Sequence, residues 1–307
     1  MSEMERKRAE AEKILGPRTE LQKSPKPGSC EEKAKSMDIK CKNAMVVGGA
    51  SGIGFETAHE LIRAGVKKVC VVDNQQNKAV AAVQKLNSGT DEPKAFPVVA
   101  DVRSDCAYDM AFREMIRCFG QLDIVVNCVG VYDETPECWD QMVRLNLIGM
   151  IRGTILAYHY LSGNTSEDNT QGGVIVNVSS YGAIANVPTM PLYSAAANGI
   201  NGLTTSFGQE FHFSHSGVRC VTVCPSCVTA GVLSNMQKMH YRPEWAPHSA
   251  LAMRCKDKQT AKQVARAIVH TIRVGLNGNV YAVLGGKLYR YLMPDYRKIT
   301  RREAYLL

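Results

Sequence analysis

Short runs rich in valine and isoleucine recur along the chain at 44–49 (AMVVGG), 68–73 (KVCVVD), 95–100 (AFPVVA), 122–127 (LDIVVN), 173–178 (GVIVNV), 218–223 (VRCVTV) and 279–284 (NVYAVL). A strand with one wet face alternates polar and apolar residues. Runs that are apolar almost without interruption therefore predict strands covered on both faces, as in a parallel sheet. The intervals are long enough for helices, among them 54–64, 78–86 and 111–119, and strands alternating with helices define an α/β domain. The pattern predicts a Rossmann-type, doubly wound parallel sheet of about seven strands, a single domain spanning 43–307. Its longest irregular interval, 228–257 with Pro243 and Pro247, follows the sixth run, on the side where open α/β sheets build their ligand crevice.

Residues 1–42 have a different texture. They are rich in Glu, Lys and Arg, broken at Gly16-Pro17 and Pro25-Lys26-Pro27-Gly28, and almost without large apolar side chains. Such a segment cannot bury enough surface to order itself, so it is expected to be a flexible or partner-ordered extension. Its one weak helix pattern, 4–15, is too short to be stable alone.

Charge changes the picture only at the ends. The chain carries a net +8, but residues 43–285 hold 20 basic against 19 acidic groups, whereas 1–42 hold 11 against 8 and the tail from 286 holds 6 against 2. A nearly neutral body argues against a nucleic-acid face, which would gather Lys and Arg on one surface; the basic ends suit either plain solvation or an acidic protein partner. No run of about 18 apolar residues is present, and the start MSEMERKRAE lacks the apolar core of a secretory signal. A cytoplasmic protein that does not span a membrane is expected, with its eleven cysteines as free thiols.

The first apolar run ends in Gly48-Gly49-Ala50-Ser51-Gly52-Ile53-Gly54 and opens a helical pattern. Glycines there permit a tight turn and bring backbone N–H groups to a pyrophosphate at the helix N-terminus. Asp73 closes the second run, where a carboxylate accepts hydrogen bonds from the adenosine ribose and repels a 2′-phosphate, which selects NAD over NADP. Cys224-Pro225-Ser226-Cys227 has metal or dithiol spacing but no companion pair, and His212 and His215 share one helical face without further ligands; both are read as packing, and no metal site is expected.

These residues, with Ala100-Asp101-Val102, Asn127-Cys128-Val129-Gly130, Asn146, Ser180 and Tyr193 in order, resemble the classical short-chain dehydrogenase/reductase family over about 43–285. Within it, the stretch from Asn146 through Gly182 and the segment HSGVRCVTVCP most resemble the 15-hydroxyprostaglandin dehydrogenase group and its insect alcohol-dehydrogenase-like relatives. The resemblance implies strand order 3-2-1-4-5-6-7 and a homodimer. It implies NAD held by Gly48, Ser51, Gly52, Ile53, Gly54, Asp73, Asp101, Val102, Asn127 and Gly130. It makes Tyr193 the acid/base toward a secondary alcohol or ketone, Ser180 the hydrogen-bond partner of the substrate oxygen, and Asn146 the anchor of a proton relay. The family's lysine four residues after the tyrosine is replaced by Ala197, its threonine before the first glycine by Val47, the glycine after Pro225 by Ser226, and the carboxamide-holding threonine by Ala230 beside Thr229. The departures fall on the nicotinamide half, where weakened binding is expected. Three readings stay open on the sequence: an oxidoreductase with a degraded, weak or inactive site; a non-catalytic structural or binding module, for instance in a cytoskeletal assembly; and a fully active NAD-dependent alcohol dehydrogenase.

Overall fold

All seven apolar runs become strands. The computed structural model describes residues 21–23, 36–162, 172–185, 187–229, 238–249 and 258–292. In chain order its strands are β1 (Leu21–Lys23), β2 (Asn43–Val47), β3 (Lys68–Asp73), β4 (Ala95–Val99), β5 (Ile124–Asn127), β6 (Val174–Val178), β7 (Arg219–Pro225), β8 (Val280–Leu284) and β9 (Lys287–Tyr291). They form one nine-stranded sheet ordered β1-β9-β8-β7-β6-β5-β2-β3-β4. Strands β2 to β8 are mutually parallel and reproduce the expected order.

Helices among the described residues include α1 (Gly52–Arg63), α2 (Gln76–Asn87), α3 (Asp105–Phe119), α4 (Trp139–Val143), α5 (Met150–Ser162), α6 (Pro191–Phe207), α7 (Glu210–Ser216) and α8 (Ala261–Val274), with a π-helical turn, Arg144–Gly149, joining α4 to α5. Successive strand residues point to opposite faces, so the central strands divide between two cores. Val46, Val71, Val126 and Val221 pack with Leu61, Val83 and Ile268 of α1, α2 and α8. Met45, Val72, Val125 and Ile175 pack with Phe112, Met115, Ala157 and Leu161 of α3 and α5. Both faces are dry, the condition that uninterrupted apolar strands require.

Two strands lie beyond the expected seven. Leu284 pairs with Lys287 across Gly285-Gly286, whose φ angles of +54° and +75° suit the two central positions of a hairpin turn. Residues 287–291 thus belong to the sheet, and the expected basic tail shrinks to 293–307, outside the described residues. The antiparallel edge of β9 presents unpaired backbone groups, and Leu21–Lys23 pairs with it antiparallel. Those three residues, expected in a flexible extension, are a strand; the expected 4–15 helix lies outside the described residues. The domain also starts before 43: Ile39 is fully buried in the core, and the Met37 N–H donates to the Arg273 carbonyl (2.8 Å).

A polar chain crosses the interior. Tyr108 Oη donates to Asn127 Oδ1 (3.2 Å), Asn127 Nδ2 to Asn177 Oδ1 (2.9 Å), and Asn177 Nδ2 to Thr204 Oγ1 (3.0 Å), while Thr154 Oγ1 also donates to Asn177 Oδ1 (3.1 Å). Asn177 is fully buried. Each buried polar group left unpaired costs about 1–3 kcal/mol, so Asn177→Ala is expected to lower stability by at least about 2 kcal/mol in urea denaturation; a loss below about 0.5 kcal/mol would show that the chain is energetically idle.

Candidate active site

A cavity of about 670 Å³ opens at the carboxyl ends of the central strands. Its first wall is the β2–α1 turn. Gly48 has φ +73°, and a Cβ there would stand 3.0 Å from the Cys128 carbonyl oxygen; a Cβ on Gly54 would stand 2.1 Å from the Gly48 carbonyl oxygen. The first turn of α1 therefore lies flush on the preceding loop, which only glycine allows. Gly52, φ +54°, has open space where its Cβ would be. Ser51 precedes the helix without a side-chain cap bond, so the N–H groups of Gly52, Ile53 and Gly54, unpaired by helix geometry, lie at the cavity these residues line. Donors without side chains before them fit a pyrophosphate.

The acidic groups expected beside this turn are both there. Asp73, at the end of β3, takes the Gln75 N–H on Oδ1 (3.1 Å) and faces the Ala50 N–H with Oδ2 (3.4 Å). Asp101 is gripped by the Arg103 guanidinium through both oxygens, at 2.7 to 3.1 Å, and that grip lowers its pKa. Val102 and Gly130 also line the cavity. Asn127 does not: its side chain is 1% exposed and committed to Tyr108 and Asn177. Strand alternation explains the misplacement, because Asn127 points into the core as Cys128 turns toward the cavity.

At the other end stand Ser180 and Tyr193. Ser180 precedes a short 3₁₀ turn, accepts from the Gly182 N–H (3.2 Å) and lines the cavity with Tyr193, whose phenol it favours in the ionised form. Burial raises the Tyr193 pKa, and the Ser180 contact opposes that only in part. Ala197, one turn along α6, lines the same cavity, with its carbonyl accepting from Ser179 Oγ (3.0 Å). Among the described residues lining the cavity, Asp73 and Asp101 are the charged ones and none is cationic. Asn146 lies in the π-helical turn, a feature frequent at functional sites, and its amide clasps Val131, taking the N–H (2.9 Å) and donating to the C=O (2.7 Å).

Sequence reasoning missed a buried polar group beside this pair. Glu134 is fully buried and accepts the Tyr193 N–H on Oε1 (2.6 Å). Tyr132, in edge contact with the Tyr193 ring, shares a hydrogen bond with His240 Nδ1 (2.8 Å). One signal existed: α6 starts at Met190-Pro191, with no residue able to cap it. Of the other motifs, Cys224 is fully buried against Asn201 while Cys227 lines the cavity, His212 packs on Tyr158 and Phe207, and the nine cysteines among the described residues form no disulfide.

A doubly wound sheet with a glycine-walled turn, an acidic strand end and a Ser–Tyr pair across the cavity defines a dinucleotide-binding α/β protein. Residues 42–240 match the family model described as short chain dehydrogenase, and the chain belongs to this family. It is 34% identical over 202 residues to the 15-hydroxyprostaglandin dehydrogenase [NAD(+)] of Mus musculus, covering 66% of this chain and 73% of that one. The Rattus norvegicus protein of the same name is 29% identical over 85% of this chain and 99% of its own, and Alcohol dehydrogenase 1 of Ceratitis cosyra is 26% identical over 85% and 100%. Among solved structures, levodione reductase superposes with a TM-score of 0.69 at 22% identity, over 81% of this chain and 98% of that one. No helix among the described residues is long and apolar enough to cross a membrane.

Because a Cβ at 54 would collide with backbone, Gly54→Ala is expected to cost roughly 1–3 kcal/mol of stability and to weaken dinucleotide binding at least tenfold in calorimetric titration. Gly52→Ala meets no atom, and its left-handed φ costs about 1–2 kcal/mol. Equal affinities for Gly54→Ala and the unmodified chain would remove the turn from the binding site.

Proposed function

We propose that this chain is an NAD-binding oxidoreductase of the 15-hydroxyprostaglandin dehydrogenase type, directed at a secondary alcohol or its ketone, whose proton-exchanging group is held out of its working range. The observation that carries the reading is Ala197 on the cavity wall one turn from Tyr193, with no cation among the described lining residues. When bound, the nicotinamide accepts or supplies a hydride. The chain's own part is to hold the substrate oxygen between the Ser180 hydroxyl and the Tyr193 phenol and to move a proton at the phenol oxygen. A free phenol, with a pKa near 10, is ionised in about one molecule in a thousand at pH 7. Burial pushes Tyr193 further up, and no described residue lining the cavity supplies an ammonium to pull it back.

The preference for NAD follows from Asp73, which would face a 2′-phosphate with like charge. Titration should show NAD binding more tightly than NADP, with the difference reduced in Asp73→Ala. Indifference of both affinities to that change would remove Asp73 from the ribose site.

Ala197→Lys places an ammonium one helical turn from the phenol and depresses its pKa. Turnover of NAD with simple secondary alcohols or prostaglandin-like substrates should rise by on the order of 10²-fold, at the low end of what acid/base catalysis contributes. High turnover by the unmodified chain would overturn the reading, as would an Ala197→Lys chain that binds NAD and stays silent.

A further inference from the structure

We propose that Glu134 is a positioning residue of the Tyr193 site: its buried carboxyl caps the first turn of α6 and sets where the phenol stands against Ser180. The proposal rests on the reading of Tyr193 as the proton-exchanging group and adds the device that holds it. Helix α6 begins with a defect. Its N-cap is Met190, whose side chain makes no cap bond, and Pro191 has no N–H. The Ser194 N–H is satisfied within the helix by the Met190 carbonyl (2.9 Å). The donors left without helical partners are those of Leu192 and Tyr193, and the Tyr193 N–H donates to Glu134 Oε1 (2.6 Å). A residue 59 positions earlier in the chain thus does what a capping side chain would do locally.

The same residue ties this turn to the other side of the site. The Glu134 N–H donates to the Met239 carbonyl (2.9 Å), next to His240, whose Nδ1 meets Tyr132 Oη (2.8 Å) and the Thr189 carbonyl (3.2 Å). Glu134 Oε2 and His240 Nε2 are buried without hydrogen-bond partners. A carboxylate at a helix N-terminus is stabilised by the helix dipole and by the Tyr193 N–H bond, whereas burial with one bare oxygen favours the neutral acid. Burial wins: the Glu134 pKa rises to about 7. Tyr132 on its own loop and the Tyr193 turn of α6 lie against it, His240 reaches Tyr132 and the Thr189 carbonyl, and the Asp133 carboxylate is taken by Thr135. Burial lowers the His240 pKa, so the histidine titrates on the acid side of Glu134. As pH rises through about 7, Glu134 becomes an anion, its grip on the Tyr193 N–H tightens, and the phenol shifts with the turn.

The test needs no turnover. The full chain is labelled with tyrosine carrying ¹³C at Cζ, the Tyr193 resonance is assigned by its loss in Tyr193→Phe, and the spectrum is followed from about pH 5.5 to 9. The unmodified chain should show a Tyr193 shift with a midpoint near 7. Glu134→Gln, a neutral isostere, should freeze the resonance near its low-pH position, and His240→Asn should leave the inflection in place. A flat profile overturns the proposal, as does an inflection that survives Glu134→Gln or vanishes only in His240→Asn. Should Glu134→Gln not fold, Glu134→Asp keeps the charge but withdraws it by one methylene; it must displace the Tyr193 resonance at pH 9, and an unmoved resonance overturns the proposal. High turnover by the unmodified chain, or an Ala197→Lys chain that binds NAD and stays silent, would sink the functional reading and leave this result standing.

Discussion

The arrangement depends on one reversal in the sheet. From β2 the chain winds outward through β3 and β4 on the side where α1 and α2 pack, then returns to β5 on the other flank of β2, with α3 on the opposite face. No crossover can roof the carboxyl ends of both β2 and β5, so a crevice opens between Gly48 and Cys128. Those two residues also meet directly: the position of a Gly48 Cβ is 3.0 Å from the Cys128 carbonyl. The closeness of the strands that creates the crevice is what demands glycine at its mouth.

Packing and chemistry share residues along that line. The polar chain from Tyr108 through Asn127 and Asn177 to Thr204 links α3, two central strands and α6. It joins helix to strand by directional bonds beneath the crevice floor, where apolar contact alone would tolerate sliding. Asn146 does comparable work from the π-helical turn by clasping both backbone groups of Val131, the residue after Gly130. The chemically reactive groups are few, and most of the polar side chains around them hold backbone.

Much of this was legible in the sequence because strand and turn signals are local. The seven apolar runs and the glycine turn each state their own conformation, and parallel order follows from topology rules. The Gly285-Gly286 hairpin is equally local, yet the two basic residues of KLYRY mask its strand alternation. What stayed hidden was non-local. Asn127 carries the right residue type at a strand end, but a single-residue alternation turns its amide into the core. Glu134 sits in a loop that reads as solvated, and only the fold brings it beneath a helix start 59 residues away.

The composition of the cavity wall bears on what the Ser180–Tyr193 pair can do. Its carboxylates, Asp73 and Asp101, belong to the glycine-turn end, and the phenol end offers hydroxyls and apolar surface. A phenol kept neutral by burial is a good hydrogen-bond donor and a poor base. On the proposed reading, with Ser180 beside it, it would present polar hydrogens to a substrate oxygen, and no cation stands among the described lining residues to drive proton removal. The same side chains serve both roles. Which one dominates is set by the electrostatic environment of a single oxygen atom, so a site of this form passes from exchanging protons to holding ligands by the loss of one ammonium group, with no change in fold.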